Sequence, residues 1–282
     1  MKFGIVLNYM NYKQTISCAD NLVQSGIDKI IIVDNASGND SVNKLNEYFV
    51  DNKKIHIVLN EKNSGYAKGN NVGLRFIEEI YGISDNNIIY IINPDSVVTK
   101  NIVDSIADFI SKTPGAGAVT TLINNGVKSA WHHMKPGRAF LFNIWEIRWI
   151  LGKMGIYEEV FYELNSDFSQ PVDVVMGGFF GIGQSTFKMI DYFDEGTFLY
   201  YEEEALYARL KNYNIQNYLL NNLSFTHSGG GSTSLNKVSF KRINDNSKLY
   251  VLKKYYGVGS MYLNCSKLIN KFDNKLLEIL KR

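Results

Sequence analysis

Cysteine is scarce in this 282-residue chain. Cys18 and Cys265 form no CxxC and stand in no Cys/His zinc spacing, so the pair fits a reducing compartment and not a zinc module. Long apolar runs are missing too. No window approaches the roughly 18–20 apolar residues that a membrane-spanning helix needs. Met1–Leu7 is a short apolar run without the longer apolar region and small-residue cleavage site of a secretory signal, and it reads as a first strand. A dinucleotide-binding fold would place GxGxxG directly after that strand. Asn8-Tyr9-Met10-Asn11-Tyr12 stands there instead, with no glycine, and no GxxxxGK[ST] loop occurs in the chain.

The composition is ordinary for a globular protein, 45% hydrophobic and 21% charged, enough for one large α/β domain or a domain with an appendage. The net charge of +2 hides an asymmetry. Residues 236–282 hold 11 Lys/Arg against 3 Asp/Glu, and the remainder holds 19 against 25. The basic tail is therefore a feature of its own.

Apolar runs of strand type alternate with helical patterns from the first residue. Strands are expected at Lys2–Leu7, Lys29–Val33, Ile55–Leu59, Ile88–Ile92 and Gly117–Thr121. Helices are expected at Gln14–Ser25, Asn39–Phe49, Tyr66–Tyr81 and Asn101–Ser111. Such a series implies an α/β fold with a mostly parallel sheet flanked by helices. Each of the first four strands ends in Asn, Asp, Gly or Ser residues, and four polar clusters at one sheet edge look like a site. Ile88–Ile92 is the pivot, because Asn93-Pro94 stops the strand and leaves Asp95 just past its carboxyl end. Asp95 reads either as a cap for the helix after Thr99 or as a ligand-binding carboxylate.

The alternation stops in an insertion at about 122–171. Trp131, His132, His133, Trp145 and Trp149 fall there, and the segment reads as a packing subdomain or as an acceptor wall of flat aromatic faces. The His132-His133 pair could ligate a metal but reads more simply as loop. Val172–Met176 reads as a buried strand. The glycines from Gly177 to Gly183 mark either close backbone approach to a ligand or a bend in a twisted strand. Three carboxylates, Glu202, Glu203 and Glu204, open a helix whose buried stripe would be Leu206, Leu210 and Tyr213. They either complement the helix dipole or include a general base; at 100° per residue only one or two should face a pocket. Gln216–Leu220 is a further strand, and His227 precedes a glycine run.

Four stretches resemble the inverting glycosyltransferases of family 2, with the GT-A fold, in the rhamnosyl- and galactofuranosyl-transferase-like branch. They are Val33-Asp34-Asn35-Ala36-Ser37, Asn63 through Gly73, Asn93-Pro94-Asp95, and Phe193-Asp194-Glu195 through Glu203 to Arg209. The resemblance covers most of residues 1–230. It implies a GT-A domain over 1–235 and a helical, basic extension over 236–282. It implies that Asn8, Tyr9, Asp34, Asn35, Asn63, Gly65, Lys68, Asn70 and Asn93 bind a UDP- or dTDP-sugar. Asp95 and His227 would hold Mn²⁺ or Mg²⁺, and Glu203, or else Glu202, would be the base. The sequence departs from the family at Glu203, where Asp is usual, at Ala205, where an acid is common, and at Asn93, which replaces the first acid of the DxD motif.

The implied acceptor is a glycan, lipid-linked in a cell-surface polysaccharide pathway, and the implied location is cytoplasmic. The lysine-rich tail, with Phe240, Tyr250, Leu252, Tyr255 and Tyr256 interleaved, reads as a membrane-surface helix, a helical pair on the core, or an oligomer contact. No nucleic-acid partner is expected. The rivals are a sugar-1-phosphate nucleotidyltransferase, whose glycine-rich basic signature is absent, and a non-catalytic nucleotide-sugar-binding protein.

Overall fold

A computed structural model describes residues 1–126, 128–229 and 237–279. The chain opens with β1 (Lys2–Asn8), α1 (Tyr12–Gln24), β2 (Lys29–Asp34), α2 (Ser41–Phe49), β3 (Ile55–Leu59), α3 (Tyr66–Tyr81) and β4 (Ile88–Ile92). Local chemistry sets the boundaries. The Asn11 side chain accepts from Gln14 N to start α1, which ends at Gln24, two residues before Gly26 at φ +81°. After β4 come β5 (Ser96–Val97), α4 (Lys100–Lys112) and β6 (Ala116–Ile123). Thr99 caps α4 by accepting from Ile102 N, so Asp95 is not the cap.

The next segment contains β7 (Ala130–His132), α5 (Pro136–Leu141), α6 (Trp145–Lys153), β8 (Val160–Phe161), β9 (Ser169–Val172) and β10 (Val174–Val175). Then follow β11 (Phe179–Gly183), α7 (Gln184–Met189), α8 (Glu202–Lys211), β12 (Gln216–His227), α9 (Lys237–Tyr255) and α10 (Ser260–Ile279).

Nine strands form the main sheet, in the order β3-β2-β1-β4-β11-β6-β12-β5, with β9 also on β12. Six of them, β3, β2, β1, β4, β6 and β12, share one direction, and β11, β5 and β9 oppose it. Strands β10, β7 and β8 make a small second sheet. Helices cover both faces of the main sheet. Ile31 and Val33 pack on the side of α3 and α8, while Ile30 and Ile32 pack on the side of α1 and α4. That double cover explains why β2 and β4 are apolar without alternation.

The glycine run is where the structure departs most from the sequence reading. The expected strand at Val172–Met176 divides between β9 and β10. Gly181 and Gly183 belong to a central strand, β11, paired antiparallel to both β4 and β6, and Gly177 and Gly178 form the turn before it. A Cβ on Gly181 would lie 2.6 Å from Ile106 Cγ2 and 3.0 Å from the Tyr90 ring, so side-chain packing demands glycine there. The stripe of α8 also differs: Leu206 and Leu210 are buried, but Tyr213 is 52% exposed because the helix has ended.

Helix α9 packs inward. Val251 and Leu252 are buried, and Lys248 is 3.0 Å from Glu158 in a buried ion pair. Tyr250, Lys254 and Tyr255 all donate to Asp194. The loop after α7 is thereby fixed between α9 and α3. On the α3 side Asn71 both donates to Phe193 O and accepts from Phe193 N, like a strand partner.

Gly65 lets that loop cross the start of α3. Its φ is +95°, and a Cβ would sit 2.1 Å from Phe198 O, the acceptor of the Tyr66 N–H. Gly65→Ala meets both a backbone clash and a disfavoured φ. We expect it to destabilise the protein by on the order of 3 kcal/mol, the upper range for single substitutions, in a urea titration. A midpoint unchanged from wild type would show that the loop does not press on this residue.

Candidate active site

The loops after the first strands close on one another before any ligand enters. Asp34 accepts from Asn8 Nδ2 at 2.7 Å and from Ser37 N at 2.9 Å. The amide oxygen of Asn8 in turn accepts from Thr15. Asn8 therefore orients Asp34 with its own hydrogen bonds already committed, whereas the Asp34 carboxylate retains further acceptor sites. Asn35 bridges Asn60 and Asn63, and Asn63 accepts from Gly65 N. Tyr9 stands half-buried beyond β1. Asn70 is spent on Tyr66 O inside α3. Lys68 leans 3.7 Å from Glu195, which Arg75 and Asn71 also hold, so its ammonium belongs to an ion-pair cluster on the flank of α3.

Asp95 and His227 meet at the ends of two strands. His227 Nδ1 is 3.3 Å from Asp95 Oδ1 and 3.2 Å from Ser96 Oγ, because β12 runs on through His227 and pairs with β5. Burial alone would raise the Asp95 carboxyl. The hydrogen bond and charge of His227, with backbone N–H donors, outweigh it and hold the group below the ordinary carboxylate range. Gly178 lies beside the imidazole, where a Cβ would make ordinary contact with the ring at 3.5 Å. Among the described residues no group of three His, Cys, Asp or Glu is arranged to hold a metal. Asp95 and His227 by themselves offer one oxygen and one nitrogen donor, too few to complete the shell of an ion.

Helix α8 begins under backbone strain. Tyr200 and Tyr201 both hold left-handed conformations, at φ +73° and +67°, which aromatic residues rarely adopt. The strained turn sets three carboxylates against one cavity of about 320 Å³, at the small end for ligand pockets. All three line it, more than the expected one or two. This is possible because each has a different partner. Glu202 accepts from Thr197 at 3.1 Å, and Glu204 accepts from Met134 N and from the hydroxyl of Tyr256, just past the end of α9. Glu203 occupies a slot at Gly177, where a Cβ would come within 1.7 Å of its Oε1.

Burial raises the pKa of all three. Glu202 is pushed up to about 8, with the charge of Glu203 adding to the burial, and Glu203 to about 7, with Glu204 adding. Glu204 is raised by burial and held back by Tyr256 and Met134 N. The cavity also reaches Asn93, whose side chain accepts from Tyr66, so it abuts the turn that carries Asp95.

The far wall comes from the insertion and the tail. Trp131, Glu158 and Glu159 line it, together with Asn244 of α9. His133 is 2.6 Å from Asp173 and stacks on Tyr207, so it serves packing, while His132 lines the cavity with its ring tilted against Tyr162 at 3.8 Å. Trp149 lies away from the cavity, 52% exposed. Sequence reasoning missed Asn71, Gly177, Asn244 and Tyr256. Asn71 and Gly177 lay inside quoted motifs, but a buried asparagine and a slot glycine acquire meaning only from partners remote in sequence.

Residues 5–159, just over half of the chain, match the family described as Glycosyl transferase family 2. Over 214 residues the chain is 25% identical to the low-salt glycan biosynthesis hexosyltransferase Agl10 of Haloferax volcanii. The match takes in 75% of this chain and 62% of the relative, so the chain spans about three fifths of that protein's length. Among solved structures, GalNAc-T7 with UDP, GalNAc and Mn²⁺ is similar at TM-score 0.65 and 13% identity, over 91% of this chain and 49% of that one. The mannosyltransferase PcManGT from Pyrobaculum calidifontis, in complex with GDP-Man and Mn²⁺, is similar at 0.60 and 10%, over 95% and 69%. S. aureus TarS 1–349 in complex with UDP is similar at 0.51 and 15%, over 99% and 72%. At these identities the structural likeness is one of fold, a helix-flanked sheet of GT-A type.

The raised carboxyl of Glu202 links stability to pH. Below its unfolded value of 4.5 both states are protonated. Above that value the folded state keeps a proton that the unfolded state has shed, so stability falls as pH rises toward about 8. Glu202→Gln removes that loss and keeps an oxygen for Thr197. Its melting temperature should gain on wild type by about 2–4 °C for each kcal/mol recovered as pH rises from about 5 to about 8. Parallel curves across that range would mean that Glu202 is ionised in the folded protein.

Proposed function

Since the chain belongs to glycosyl transferase family 2, we propose that it is an inverting, metal-dependent glycosyltransferase. In this reading it moves one hexose from a UDP- or dTDP-sugar to a hydroxyl of a glycan. The observation that carries the reading is Glu203, a half-buried carboxyl of raised pKa in the Gly177 slot. It faces a cavity that abuts the Asp95–His227 pair through Asn93.

The proposed division of labour follows the chain. Residues 1–235 form the transferase unit, the insertion at about 122–171 supplies the acceptor wall, and 236–282 completes it through Asn244 and Tyr256. Asp34, aimed by Asn8, accepts from the base N–H of a uracil or thymine nucleotide, and Asn35, Asn63 and Gly65 hold the nucleoside. Lys68 reaches the diphosphate by exchanging Glu195 for it, since the pair is long and half-exposed.

Asp95 and His227 would hold Mn²⁺ or Mg²⁺, with the diphosphate completing the shell. A carboxylate with an imidazole suits Mn²⁺ best, and the ion, when bound, neutralises charge on the departing nucleoside diphosphate. Support comes from the GalNAc-T7 and PcManGT structures, both of which contain Mn²⁺ with a nucleotide. Glu203 takes the proton of the acceptor hydroxyl as it attacks the anomeric carbon from the face opposite the nucleotide. One displacement inverts that carbon. Ala205 is fully buried, which leaves no room for a second base there.

Five glutamates line the cavity, and among the described residues no lysine or arginine does. We place the enzyme in the cytoplasm, acting on lipid-linked glycans of a cell-surface polysaccharide.

Thermal-shift measurements test the donor site. UDP or dTDP with Mn²⁺ should raise the melting temperature more than GDP or CDP, through binding to the native state alone. Asp95→Ala or His227→Ala should remove the metal-dependent part. Equal shifts with and without metal in wild type would sink the metal role.

Glu203→Gln should lower turnover by about 10²–10⁴-fold with donor affinity preserved, the usual worth of a general base. The base must be ionised, so wild-type turnover should fall on the acid side of about pH 7 and not of 4.5. Turnover that survives the substitution would reassign the base to Glu202.

A further inference from the structure

Helix α10 keeps most of its large apolar side chains outward. Its inward side is mixed: Ser266, Asn270 and Asp273 are buried, and Tyr262 and Leu263 pack against Leu249 and Leu252. Its outward side is apolar: Met261, Leu268, Phe272 and Ile279 are 81%, 71%, 67% and 69% exposed. At 100° per residue these four fall within about 40° of one another, a single stripe along the whole helix. Cys265, also exposed, lies in the same stripe.

Charge is arranged beside the stripe and not within it. Lys267, Lys271 and Lys275 are all exposed and follow each other at four-residue intervals along one flank. The single exposed acid of α10 among the described residues is Glu278, and Arg242 neutralises it at 3.1 Å. The sequence adds Lys281 and Arg282 beyond the last described residue. No helix among the described residues is long and apolar enough to cross a membrane.

We propose that α10 docks in the plane of an anionic lipid bilayer, with Met261, Leu268, Phe272 and Ile279 in the acyl boundary and the lysine ridge on the head groups. An apolar stripe bordered by lysines is the pattern of an interfacial helix, and an anionic leaflet complements a row of one sign. A second copy fits less well. Antiparallel pairing across the stripe sets both lysine ridges on the same side, like charge against like. The membrane role that the tail's sequence suggested thus belongs to α10, because the tyrosines at and just past the end of α9 are engaged with Asp194 and Glu204. Docking also orients the site. Tyr262 of α10 donates to Pro136 O in the acceptor-side insertion, and α9 lies between α10 and the cavity.

The test is flotation of the full chain with vesicles of phosphatidylcholine alone or mixed with phosphatidylglycerol. It needs no donor, metal or acceptor, so it stands or falls apart from the transferase reading. Wild type should float with the anionic vesicles and about tenfold or more weakly with the neutral ones. Leu268→Glu with Phe272→Glu should abolish flotation. Changing Lys267, Lys271 and Lys275 together to Gln should erase the preference for anionic lipid. All these side chains are exposed, and unchanged melting curves verify that each variant is folded. Absence of flotation with anionic vesicles overturns the proposal, as does flotation that survives the double glutamate change. Should sedimentation velocity instead find a dimer that the double change dissociates, with no vesicle binding, the stripe belongs to a second copy.

Discussion

Three adjacent carboxylates share one small cavity, and the rest of the site follows from keeping them apart. Like charges in a buried space raise each other's pKa, and the protein answers by giving each group a separate environment. Thr197 holds Glu202, a glycine slot receives Glu203, and Tyr256 with Met134 N fixes Glu204. Those partners come from the loop after α7, the turn between β10 and β11, the insertion and the residue that follows α9. The electrostatic constraint therefore dictates which remote segments must converge, and the strained Tyr200-Tyr201 turn is what aims α8 at them.

Much of the donor side was legible in the sequence. Strands β3 and β4 and helix α3 occupy the expected residues, since β-branched runs between turn residues and a long 3.6-residue period are strong local signals. The polar ends of those strands do converge at one edge. The local code failed where partners are remote. A glycine run carries no strand propensity, yet Phe179–Gly183 is the central strand, because Tyr90 and Ile106 need the room. Two-residue β5 is too short to announce itself, and β12 continues through Asn221 and Asn222 into His227 because β6 and then β5 pair with it.

The roles of individual residues were less readable than their places. Asn8 stands where the motif puts it, but its hydrogen bonds are spent on Asp34 and Thr15, so it acts through the aspartate. Lys68 stands at the start of α3, but its nearest partner is Glu195. Spacing identifies a position at the edge of the sheet. The hydrogen-bond inventory of the neighbours decides whether a side chain there has capacity left for a ligand.

The reversed central strand bears on how the chain comes to be folded. Strands β3, β2, β1 and β4 can assemble from the first 92 residues, but β4 then has one unpaired edge, and β6 cannot fill it. Only residues 179–183 join the two halves of the sheet, with β4 on one side and β6 on the other. During synthesis the apolar edge of β4 must wait while about ninety more residues leave the ribosome, several seconds at ordinary elongation rates. Over that interval Ile88–Ile92 is the stretch most exposed to pairing with another chain. A chaperone that shields nascent strands would have most to do at this point, before the glycine-rich strand closes the gap.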